Sequence, residues 1–151
     1  MSDRARRILF VPPRYGEGIS GGAERLMRWM AEASRAAGCD VQIATTCARD
    51  HETWANALPE GRSVENGIPV HRFRVTPRDE RRHHHLVAKM MAEGQLSELD
   101  ATDLMATSIW SEGLQRFLDD HGAETDAIVL APYLFGTTFW GAQSWPEKTI
   151  V

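Results

Sequence analysis

The sequence predicts an α/β protein with a doubly wound, mostly parallel sheet and flanking helices. Three observations predict it. Residues 8–11, Ile-Leu-Phe-Val, are a continuous apolar run stopped by Pro12 and Pro13, the pattern of a short strand buried on both faces. A glycine-rich turn, an amphipathic helix, Gly38 and a second apolar stretch, Val41–Thr46, follow directly. That order is a βαβ unit, which requires a right-handed crossover between parallel strands. A second doubly buried run, Ala127–Ala131, comes late in the chain.

The elements follow in order. Arg7–Val11 is the first strand, ended by prolines that cannot donate to a ladder. In the first helix Ala23, Met27, Met30, Ala33 and Ala37 recur at three- and four-residue steps, with Leu26 alongside. They are assigned to its buried face. Gly38 is placed as the C-terminal cap. Residues 50–62 are polar apart from one buried candidate, Trp54. Residues 63–75 alternate around Asn66-Gly67, a type I′ hairpin signal, so the returning strand reads as half exposed until Pro77 ends it. A charged stretch from Arg78 becomes helical around Leu86–Leu96. Asp100 or Thr102 caps one further helix running to His121, with Leu104, Ile109, Leu114, Phe117 and Leu118 on its apolar side and Gly122 closing it. Pro132–Gly136 is the exit loop of the late strand. Thr137 or Thr138 opens a short helix through Trp145, and Lys148–Val151 begins one more strand. Met90, Met91, Trp110 and Trp140 are assigned to the core.

Composition narrows the function classes. At 151 residues, with 42% hydrophobic and 25% charged residues, the chain has one ordinary globular domain's worth of material. Lys and Arg number 17 against 21 acids, a net charge of −4 that gives no basis for a nucleic-acid partner. Basic clusters at Arg4–Arg7 and Arg78–His85 read as solvated surface. No apolar run approaches the roughly 18 residues of a membrane span, and the run after the polar start Met1–Arg7 is too short for a signal core. Cys39 and Cys47, at the two ends of one extended strand, stand roughly 26 Å apart, far beyond the ~7 Å a disulfide allows. Reduced thiols in the cytoplasm are the simplest account. His83-His84-His85 point in different directions on any regular element, so no metal is expected there.

The glycine loop carries the chemistry. Gly16-Glu17-Gly18-Ile19-Ser20-Gly21 is formally G-x-G-x-x-G. A dinucleotide fingerprint, however, needs its first glycine at the strand exit and an acid at the end of the second strand. Here Pro12–Tyr15 intervene, and Thr45 and Thr46 stand where the acid belongs. The better unit is Ser20-Gly21-Gly22-Ala23-Glu24-Arg25, at the junction of loop and helix. Two glycines allow close approach of a ligand to the backbone, and the free N–H groups of a helix start favour a phosphate. A merely flexible start to the helix stands beside that reading. Arg14 and Tyr15, and Tyr133 and Phe135, lie at the exits of two strands, on the sheet edge where open α/β proteins bind ligands. They are acceptor-cleft candidates, against a surface arginine and core-capping aromatics.

These residues carry a resemblance. Arg7–Pro12 followed by Gly21-Gly22-Ala23-Glu24-Arg25 resembles the start of retaining glycosyltransferases of the GT-B fold, family 4, in which G-G-x-E-R opens the first helix. Gly38–Thr46 is similar to that family's G-H-E-V-x-V-x-T strand. Glu65–Phe73 is similar to its D-G-V-x-V-x-R hairpin, and Asp126–Ala131 to a later strand that here lacks the family's histidines.

The resemblance implies a Rossmann-like, acceptor-side domain over residues 1–151, cut short at its C-terminal end, with a donor-binding domain as missing partner. It implies transfer of a sugar from a nucleotide-sugar donor to a sugar, glycan or lipid acceptor, with peripheral membrane contact if the acceptor is lipid-linked. Gly21 and Gly22 become candidates for backbone contact with the donor diphosphate, where preorganised N–H donors stabilise the leaving group. No cofactor or metal is then needed. The family's E-x(7)-E donor motif is absent, so no catalytic residue is assigned and the chain alone is expected to be inactive. A non-catalytic nucleotide- or sugar-binding module is the alternative.

Overall fold

The structure is a computed structural model that describes residues 4–151; the first three residues of the polar start fall outside that range. Among the described residues six strands form one sheet in the order β3-β4-β2-β1-β5-β6. β1 (Arg7–Val11) lies at its centre between β2 (Asp40–Thr46) and β5 (Ala127–Leu130), parallel to both. β4 (Ile68–Phe73) is parallel to β2, and the terminal β6 (Thr149–Ile150) is parallel to β5. Only β3 (Gly61–Glu65) runs antiparallel, joined to β4 through Asn66-Gly67, both at positive φ as a type I′ turn demands. Five α-helices among the described residues flank this sheet, a Rossmann-like doubly wound arrangement.

Alternation along β1 sorts the core into two layers. Phe10 points to one face, where Met27 and Ala31 of α1 (Gly22–Ala36) meet Val41, Ile43 and Val70. Leu9 and Val11 point to the other, packed on Leu114 and Leu118 of α4 (Glu112–His121), with Ala142 of α5 (Gly136–Ser144) beside them. Burial on both faces is why this strand reads as an unbroken apolar run.

Several expectations need correction. α1 buries Glu24, Met27 and Ala31, whereas Leu26 and Met30 are exposed. The helix is rotated relative to the apolar periodicity because Glu24 is drawn inward by a buried arginine. α2 (Glu80–Glu93) starts six residues before the expected Leu86 and stops at left-handed Gly94. The Asp79 side chain accepts from the Arg82 N–H and so nucleates it earlier. The single helix expected from Asp100 or Thr102 to His121 is two, α3 (Glu98–Ala106) and α4. Ser97 and Ser111 cap them, and Thr76 clamps the break: its N–H donates to Trp110 O and its hydroxyl accepts from Glu112 N. Met90 and Met91 are both exposed rather than core, Met91 at 78%. Arg72, expected on a half-exposed strand, is buried. No helix among the described residues is long and apolar enough to cross a membrane.

Candidate functional site

The carboxyl edge of the sheet collects the exits of β1, β2 and β5. Pro12 to Tyr15 leave β1 there, entirely buried. The Thr46 hydroxyl at the end of β2 donates to Pro13 O at 2.6 Å and accepts from Ala48 N. That is the work of the threonine standing where a dinucleotide site would place an acid.

Arg14 is 6% exposed. Its Nε and Nη2 both donate to Glu24 Oε1, at 2.9 and 2.6 Å, and its Nη1 donates to the Arg49 carbonyl. The guanidinium also lies over the Trp54 ring, 5.5 Å from its centroid. Trp54 is held at φ 54° and meets Phe135 edge-on at 5.0 Å. Arg14 and Phe135, 121 positions apart by subtraction of their numbers, are therefore joined through one tryptophan from a third loop. Tyr133 lies at the rim, 74% exposed. Tyr15 instead turns into the core at 2% exposure, its hydroxyl pKa raised chiefly by burial. Of the four acceptor-cleft candidates, two are interior, Phe135 is half-buried, and only Tyr133 faces solvent.

The glycine loop is strapped down at its start. Arg28 of α1 donates to Gly16 O and packs over the Tyr15 ring, and Arg72 of β4 donates to Tyr15 O. From there the loop rises to α1. Gly21 is the N-cap, in extended backbone with no side-chain cap, and the first intrahelical bond runs from Arg25 N to Gly21 O. Glu24, at the third helical position, is the residue that would reach back over the N-terminus in a capping box. Its carboxylate is bound to Arg14 instead. The N–H groups of Gly22, Ala23 and Glu24 are left without a side-chain cap, the arrangement that binds phosphates.

The two glycines differ. A Cβ on Gly21 would lie 2.1 Å from Glu24 Oε2, so this glycine makes room for the Arg14–Glu24 pair. A Cβ on Gly22 would meet nothing within 4 Å. No packing within the described residues demands glycine at 22.

Sequence reasoning found the glycines and Trp54 but missed Arg72 and the inward turn of Glu24. Cys39 and Cys47 are free thiols, and the Cys47 thiol is pushed up by burial. No group of three or more metal-ligating side chains occurs among the described residues. Comparison of the chain with protein-family models, with curated proteins and with solved structures finds no match in any of the three.

Proposed function

We propose that this chain is the acceptor-side domain of a GT-B type glycosyltransferase, with Gly22 and Ala23 presenting backbone N–H groups to the diphosphate of a nucleotide-sugar donor. The observation that carries the reading is the uncapped, sterically open N-terminus of α1 at the carboxyl edge of a parallel sheet. Charge develops on a departing nucleoside diphosphate, and fixed N–H dipoles aimed at it lower the barrier without reorganising. The buried Arg14–Glu24 pair fixes the helix start, with Glu24 Oε2 lodged against Gly21. Tyr133 and Phe135, across the same edge, offer an acceptor an aromatic rim. A second Rossmann-like domain supplies the nucleotide pocket under this reading, so the 151 residues alone hold the donor weakly and do not turn it over.

Calorimetry with UDP- and GDP-sugars against NAD tests this. The expected result is weak binding of the nucleotide sugars, with Kd in the millimolar range, about −4 kcal/mol, and none of NAD. Micromolar binding of a nucleotide or sugar to this chain would favour the non-catalytic binding module. NAD binding would favour a dinucleotide enzyme.

A further inference from the structure

A cavity lies between the glycine loop and the edge strand β3. Its volume is about 450 Å³, within the range of roughly 300–1,000 Å³ typical of small-molecule sites. Gly16, Glu17 and Ile19 form one wall and residues 58–65 the other, with Arg72, 6% exposed, between them. Two of the three Arg72 nitrogens are committed: Nη1 donates to Ser63 Oγ, and Nη2 donates to Tyr15 O and pairs with Glu65, while the buried Nε has no partner among the described residues. Four other charged groups line the cavity, Arg49, Arg62, Glu17 and Glu60. None of these four makes an ion pair among the described residues. The lining charges thus balance, three arginines against three glutamates, and Ile19, Leu58 and Val64 supply apolar surface between them.

We infer that this cavity binds a neutral polyhydroxylated ring, a sugar. The Glu17 and Glu60 carboxylates each accept two O–H bonds from neighbouring hydroxyls, and the Arg49 and Arg62 guanidiniums each donate two N–H bonds to neighbouring oxygens. Apolar side chains between them suit the C–H face of a pyranose. A free phosphate gains little from a lining whose charges cancel. An amino-acid zwitterion uses one acid and one guanidinium and leaves the second pair idle and partly desolvated. Its role as the acceptor subsite rests on the glycosyltransferase reading; binding of the sugar does not.

Amide NMR titration of the 151-residue protein separates these. Methyl glucoside, methyl mannoside and methyl galactoside are titrated in parallel with inorganic phosphate, glycine and UDP. At least one methyl glycoside is expected to shift the Gly16, Gly18, Gly61 and Ser63 amides in the millimolar range. Arg49→Ala and Glu60→Ala, both exposed side chains, are expected to weaken that response about tenfold each, 1.4 kcal/mol, while the rest of the spectrum stays native. No shift with any glycoside, a stronger response to phosphate or glycine at these amides, or undiminished affinity in both variants overturns the inference. Glycoside shifts here without UDP shifts at Gly22 leave the inference standing and remove the glycosyltransferase reading; UDP shifts alone do the reverse.

Discussion

Two helices start at the carboxyl edge of the sheet, each with a glycine as first residue and neither with a side-chain cap on that turn from its own N-cap residue. α1 follows β1 and α5 follows β5. At α5 the donors are used within the protein: Gly136 N donates to Ser108 Oγ at 3.1 Å and Thr137 N to Ile109 O at 2.8 Å. A Cβ on Gly136 would lie 2.9 Å from Ile109 O and 3.1 Å from Met105 O, so the α3–α4 connection is packed against that terminus. At α1 a Cβ on Gly22 would meet nothing within 4 Å. One glycine serves close packing of backbone on backbone; the other leaves a terminus open. A glycine before a helix carries ligand meaning only when packing does not already require it.

The largest expected effect breaks the buried pair that fixes the start of α1. Glu24→Ala leaves Arg14 charged, buried and unpaired, and should cost about 3–5 kcal/mol in denaturant unfolding; a loss under about 1 kcal/mol would show that the pair is not what orders the α1 start. Gly136→Ala comes next. Its methyl presses on carbonyl oxygens rather than a movable side chain, so about 1–3 kcal/mol is expected in the same measurement. Gly22→Ala is the contrast: a stability change under about 1 kcal/mol, in either direction. A large loss there would mean that the two glycines do the same job.

Acid sharpens the comparison from the α5 side. His83 lies 3.3 Å from the Thr107 hydroxyl, beside the connection that closes α5, and its pKa is lowered from the ordinary 6.5 by burial first and then by Arg78 and His84. A lowered folded pKa means that the native state favours the neutral ring. That stability is complete above pH 6.5 and is lost as the pH falls through the folded value. Hydrogen exchange should therefore show the Gly136 and Thr137 amides losing protection before Arg25 N on acidification, with His83→Gln abolishing the difference. The smallest effect concerns Thr138, whose buried hydroxyl has no hydrogen-bond partner among the described residues. Thr138→Val keeps its shape and should be neutral or stabilising by up to about 1 kcal/mol. A cost would reveal a partner for that hydroxyl and a use for the α5 terminus as well.

The parallel sheet was legible because β1, β2 and β5 are buried on both faces, and such strands leave unbroken apolar runs. The hairpin was legible because Asn66-Gly67 encodes its own turn. The helix boundaries between 80 and 121 were not, because they depend on serine and aspartate caps and on Thr76, a residue far away in sequence. The α1 face was misread for a related reason. Periodicity ranks Leu26 and Met30 above Glu24, yet a buried arginine can reverse that order by offering the acid a partner. At the site, glycine positions were readable and their difference was not. Whether a Cβ at 21, 22 or 136 has room is decided by Glu24, by open solvent and by Ile109 O respectively, none of which local sequence specifies.

Amide chemical shifts during titration of the protein with a nucleoside diphosphate test the open terminus most directly, with Gly22→Val as the blocked control. The expected result is saturable movement of the Gly22 and Ala23 amides, no movement at Gly136 or Thr137, and loss of the response in a folded Gly22→Val protein. An unmoved Gly22, or an undiminished response in that variant, would contradict it.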